Sequence, residues 1–170
     1  KWGKFMKKTI LFGLIIIAAW GVYQLQSSTP KEQVRQTIEK VLDESEVDKR
    51  LSPVQAAMRT KSLLPYLDQK IRVEYQVKDQ KRSIEGQKSV RSKLTIGLNH
   101  LQNFEFELLQ NSVKIHGHKA IVKAKIRGRG EIINYMQRFS EIHRFHLELT
   151  KKDDDWKISL VRHIPYEDGR

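Results

Sequence analysis

Between Lys119 and Arg127 the chain changes character at every step. Ala120, Val122, Ala124 and Ile126 fall on one side, and Lys123, Lys125 and Arg127 fall on the other. A period of two is the period of a β-strand, so this segment can only bury one face and leave the other charged if it lies in a sheet. The same alternation recurs at Ile71, Val73, Tyr75 and Val77, which are interleaved with Arg72, Glu74 and Gln76. It returns over residues 104–109, at Val113 and Ile115, at Phe145, Leu147 and Leu149, and over residues 156–163. In that last stretch the pattern sets Trp156, Ile158 and Leu160 on one face and Lys157, Ser159 and Val161 on the other. His116-Gly117-His118 marks a tight hairpin, Gly128-Arg129-Gly130 a bulge or bend, and residues 152–155 an acidic turn.

The remaining apolar residues follow the helical period. Thr29-Pro30 reads as N-cap and first turn of a helix that carries Val34, Ile38, Val41 and Leu42 and runs to about Lys49. Ser52-Pro53 repeats the signal, and Val54, Ala57, Met58, Leu63 and Leu64 form its apolar positions before Pro65 stops or kinks the helix. Residues 87–101 space Val90, Leu94, Leu98 and Leu101 along a third helix. The order is helix, helix, strand, helix, then consecutive strands, which is an α+β arrangement in one domain over residues 30–164, with a tail at 165–170.

A different segment precedes the domain. Residues 9–25 read TILFGLIIIAAWGVYQL, preceded by Lys1, Lys4, Lys7 and Lys8 and followed by a linker at 26–29. A helix of that stretch is roughly 25 Å long, close to what a hydrocarbon core requires, and Trp20 and Tyr23 suit the membrane interface. The one fair signal-peptide cleavage match, Ala19-Trp20-Gly21, holds a bulky residue inside it, so residues 1–25 read as an uncleaved anchor. Lysines before the apolar run and none directly after it place the N-terminus in the cytoplasm. The domain is then expected in the periplasm or outside, on the far side of a cell inner membrane.

The chain has no cysteine, which excludes disulfides, thiolate metal sites and cysteine nucleophiles. Its formal charge of +12, most of it outside the four N-terminal lysines, favours anionic partners.

Three helices interleaved with one strand, followed by meandering strands, resemble the nuclear transport factor 2-like superfamily over about residues 30–164. The resemblance rests on Ser83-Ile84-Glu85-Gly86-Gln87-Lys88-Ser89-Val90 leading into the third helix, on His116-Gly117-His118-Lys119-Ala120-Ile121-Val122 at the hairpin, and on Asp155-Trp156-Lys157-Ile158 at the end. It implies a cone-shaped roll in which three helices pack on a curved antiparallel sheet around a pocket. Members of that superfamily range from dehydratases, isomerases and SnoaL-like cyclases to inert binding and assembly domains. Periplasmic domains of type IV secretion inner-membrane components share the layout of one anchor and one such domain.

No residue pattern announces catalysis, a metal or a cofactor. Tyr66, Tyr75 and His143 are the candidates for polar groups lining the cone, and His143, on a face with Phe145 and Leu147, reads first as a core histidine. His143 and His146 have HxxH spacing, which on a strand turns them to opposite faces. His116 and His118 sit in the hairpin turn. Lys123, Lys125 and Arg127, extended by Arg144 and Lys157, form the candidate basic surface.

These features point to a non-catalytic, membrane-anchored binding or assembly module of a bacterial envelope complex with a protein partner. The alternative is a membrane-tethered SnoaL-like enzyme or carrier for a small apolar ligand. A homodimer through the sheet face would have to offset five like charges. Nucleic acid is not an expected partner.

Overall fold

The computed structural model describes residues 29–77, 80–133 and 137–165. Residues 1–28, which hold the segment read as an anchor, lie outside them, as do residues 166–170. No helix among the described residues is long and apolar enough to cross a membrane.

The elements are α1 (Pro30–Ser45), α2 (Pro53–Leu63), a short 3-10 turn (Leu64–Tyr66), β1 (Leu67–Val77), β2 (Gln80–Glu85), α3 (Gln87–Leu98), β3 (Leu101–His116), β4 (Lys119–Ile132), β5 (Gln137–Lys152) and β6 (Asp155–Ile164). Thr29 caps α1 by accepting the Glu32 N–H at 3.3 Å. Ser52 and Gln55 form a reciprocal capping box on α2. The helix α1 stops at Ser45, short of the expected Lys49, because Val47 pairs with Phe104 on β3: the Val47 N–H donates to the Phe104 carbonyl at 2.8 Å, and the Phe104 N–H donates to the Val47 carbonyl at 2.7 Å.

The six strands form one sheet in the order β2-β1-β6-β5-β4-β3. It is mixed, where an antiparallel sheet was expected. The last strand inserts between β5 and β1, antiparallel to β5 and parallel to β1. Two strands differ from the alternation read above. β2, polar and exposed along most of its length, carries too little apolar pattern to be seen in the sequence. The stretches at 104–109 and 113–115 are one long strand, β3, interrupted by irregularities at 102/105 and 108/110.

The inner face of the sheet holds Ala120, Val122, Leu147, Leu149, Trp156 and Ile158, which pack against Val34 and Ile38 of α1 and Val90 of α3. These residues fill the cone. A smaller cluster of Val47, Ala56, Leu98 and Phe104 closes one end. The glycine pair of β4 keeps a continuous register with β5, and the irregularity expected there falls on its other side, where β3 shifts register between Gln102 and Glu105 opposite Gly130. Gly130 thereby admits Phe104: a Cβ at that position would stand 2.8 Å from the Phe104 ring and 3.1 Å from its Cα. Gly130→Ala is expected to cost about 1–3 kcal/mol through overpacking, read as a lower urea midpoint at unchanged slope. Gly97→Ala, where the added methyl meets nothing within 4 Å, is expected to be neutral or slightly stabilising.

The face of α2 also differs from expectation. Ala56, Thr60 and Leu63 are buried, while Val54 and Met58 are 69% and 68% exposed. The Thr60 hydroxyl lies 2.8 Å from that of Thr95 and joins α2 to α3, so small Ala56 and Thr60 meet the core together with Leu63, while Val54 and Met58 do not.

Candidate functional site

The outer face of the sheet is set by the strand registers. Across it run Ser112, Lys123, His146, Arg162, Glu74 and Ser83 in one row, and Gln110, Lys125, Arg144 and Ile164 in the next. Lys125 therefore sits directly opposite Arg144, and like charges placed so repel. Three arginines of the same face have carboxylate partners. Arg127 meets Glu107 at 2.6 Å, Arg129 meets the same carboxylate at 3.0 Å, and Arg162 donates to Glu74 at 2.5 Å. The Lys123 and Lys125 ammonium groups make no ion pair or hydrogen bond among the described residues. Lys123 is exposed and Lys125 half-buried.

Lys157 does not extend this patch. It pairs with Thr150 near the start of β6, whereas Arg144 pairs with Ile164 at its end, roughly 20 Å away at the strand rise. Its ammonium is held by the Pro65 carbonyl at 2.6 Å and by Asp155 at 3.5 Å.

A second cluster lies on the inner face, at the mouth of the cone. His143 Nδ1 is 3.1 Å from His163 Nε2, and its Nε2 is 3.1 Å from the Glu141 carboxylate. The protonation pattern that satisfies all three groups has His163 donating to His143 and His143 donating to Glu141. Phe145 stacks edge-on to His163 at 5.6 Å. His163 reaches this face only because Ser159 is the extra residue of a bulge: Leu149 pairs with Ile158 and Glu148 with Leu160. The bulge reverses the faces beyond it, so Val161 and His163 turn inward while Leu160 and Arg162 turn outward. That corrects the unbroken alternation read for this strand. His143 is thus a partnered histidine at the rim, its side chain 39% exposed, rather than one enclosed by the core.

The three pocket candidates do not converge. Tyr75 follows Ile71 and Val73 on β1, near the His163 end of the sheet. It borders a cleft of about 560 Å³ whose other walls include Arg72, Glu74, Arg82 and Arg162. Tyr66, in the 3-10 turn, borders a smaller cleft with Lys40, Trp156 and Lys157 at the opposite end of β6. His143 and His146 fall on opposite faces, the latter 3.4 Å from Glu148. His116 and His118 are exposed in a turn whose Gly117 has φ of +58°. Among the described residues no group of three or more histidines and carboxylates could hold a metal ion.

Burial and, secondarily, the neighbouring His143 hold His163 below its ordinary value of 6.5. A lowered folded-state value means the unfolded chain binds the proton first, so stability is full above about pH 6.5 and falls as pH drops below it. His163→Gln is expected to flatten that part of the profile in melting curves recorded between neutral and mildly acidic pH.

No protein-family model and no curated sequence matches this chain. Solved structures share its fold. A candidate dehydratase of the nuclear transport factor 2-like family from Streptomyces avermitilis aligns with a TM-score of 0.64 at 12% identity, covering 81% of this chain and 98% of that one. The association domain of the calcium/calmodulin-dependent kinase II of C. elegans gives 0.58 at 14%, covering 79% and 95%. A candidate association domain of the same kinase type from Xanthomonas campestris gives 0.61 at 10%, covering 83% and 92%. The α+β roll is therefore of the nuclear transport factor 2-like type, and at these identities the likeness reaches no further than the fold.

Proposed function

We propose that this domain is a non-catalytic binding module that receives an acidic protein partner on the outer face of its sheet. Residues 1–25 would tether it to a bacterial inner membrane, with the domain on the far side, as part of an envelope complex. The observation that carries this reading is the pair Lys123 and Lys125, left without acids on a face where Arg127, Arg129 and Arg162 each have a glutamate. An anionic partner surface would supply the carboxylates that these two ammonium groups lack within the domain. The existence of association domains among the proteins that share this fold supports an assembly role.

A photo-crosslinking residue in place of Ser112, beside Lys123, is expected to yield a single adduct in native membranes, and the same residue in place of Ser92 on α3 none. Adducts from Ser92 alone would overturn the reading. An adduct with a second copy would recast the partner as this chain itself, its glutamates meeting these lysines.

The Glu141–His143–His163 chain favours a second reading, a SnoaL-like enzyme or carrier acting at the mouth of the cone. Against it stands the filled interior: Trp156, Leu149 and Val122 occupy the space in which such a ligand would be enclosed.

A further inference from the structure

The outward side of the helical layer carries a surface that neither reading uses. On α2, Val54 and Met58 lie opposite the buried Ala56, Thr60 and Leu63; on α3, Ile96 lies opposite the buried Val90 and Leu98, and is 53% exposed. The Thr60–Thr95 contact holds the two helices side by side, and Ile96 shares a depression with Pro53 and Gln55 at the start of α2, so one pair of adjoining helices carries all three exposed side chains. Large apolar side chains presented together in this way are uncommon on a free surface.

Charge gives the patch its partner. No acidic residue occurs between Lys49 and Leu67 or between Gly86 and Phe104, while the same two stretches hold Lys49, Arg50, Arg59, Lys61, Lys88, Arg91 and Lys93. Lys61, Lys88 and Lys93 are exposed on the helices themselves, and Arg59 is answered, at 3.8 Å, by Glu44 of α1. Beside the patch, Arg50, Leu51, Pro53 and Ile96 border a depression. Apolar side chains ringed by lysines, with acids excluded from both helices, suit the interface of a negatively charged bilayer: the apolar groups enter the headgroup boundary and the ammonium groups meet lipid phosphates.

We infer that the α2–α3 face is a contact surface for an anionic lipid membrane, with Val54, Met58 and Ile96 as its insertion points and Lys61 and Lys93 as its headgroup contacts. It is separate from the sheet face proposed for the protein partner, and it would leave that face directed elsewhere. It does not require residues 9–25 to span the membrane. A tether there would shorten the search for the surface without supplying its charge dependence.

The full chain has no cysteine, so a single one can carry a polarity-sensitive fluorophore at Met58→Cys, at Ile96→Cys or, as a control on the sheet face, at Ser112→Cys. Each labelled chain is mixed with vesicles of phosphatidylcholine alone or of phosphatidylcholine with phosphatidylglycerol. Labels at 58 and 96 are expected to shift to the blue and to lose access to a soluble quencher only with phosphatidylglycerol, while the label at 112 stays in water. High salt should reverse the effect, and Lys61→Glu with Lys93→Glu should weaken it at least roughly 30-fold. Labels at 58 and 96 that remain equally accessible in both vesicles would overturn the inference. So would a shift without lipid that grows with protein concentration, which would make the patch an interface between copies. Flotation with the neutral vesicles reads the tether on its own, so its failure is distinguishable from failure of this face.

Discussion

Replacing Trp156 with alanine is expected to remove about 3–5 kcal/mol of stability, a large share of the roughly 5–15 kcal/mol that a domain of this size possesses. The indole is 3% exposed, and it stands where β6, α1 and the inner face of the sheet meet. Its loss would open a cavity that a rigid sheet cannot close. Trp156→Phe should cost much less, about 1.5 kcal/mol or under. The indole N–H has no hydrogen-bond partner among the described residues, so the phenyl ring keeps most of the volume and drops an unsatisfied donor. Urea unfolding of the two variants checks the pair. A cost below about 1 kcal/mol for the alanine would mean that the cone is loosely packed, and would return weight to a ligand inside it.

The second large effect concerns binding. Lys123→Glu with Lys125→Glu is expected to weaken capture of the acidic partner by on the order of 100-fold, or about 3 kcal/mol. Melting temperature should hold, because neither ammonium group makes an ion pair or hydrogen bond among the described residues that its replacement would break. Loss of binding without loss of stability separates a recognition surface from a structural one. Measured at rising ionic strength, the wild-type affinity should fall steeply and the variant's hardly at all.

Much of this architecture was legible because the sequence alternates cleanly wherever one face of a strand is buried. β1, β4 and the hairpin at Gly117 follow from period and turn chemistry alone. β2 was hidden by its exposure, since a strand with two wet faces writes no pattern. The mixed character of the sheet could not be read, because nothing local to β6 records that it pairs with β1 as well as β5. The same strand hid the histidine pair. One bulged residue, Ser159, turns His163 inward, and only the register shows it. Glu141, two residues before His143 on the same strand, was within reach of a period-two argument. The lysine pair was visible as a stripe, but its selectivity was not: Glu107 and Glu74 neutralise its neighbours from strands far away in sequence. On α2 the apolar spacing pointed to Val54 and Met58, yet small Ala56 and Thr60 allow the close approach to α3 that buries the other side.

The outer sheet face is the proposed place of recognition. Affinity capture of the full-length protein from detergent-solubilised native membranes, run for the wild type, the Lys123→Glu/Lys125→Glu variant and His143→Gln, tests that directly. One acidic protein in stoichiometric amount with the wild type and with His143→Gln, and its absence from the charge-reversed variant, is the predicted result. Capture that survives charge reversal and fails with His143→Gln would contradict it and move the function to the mouth of the cone.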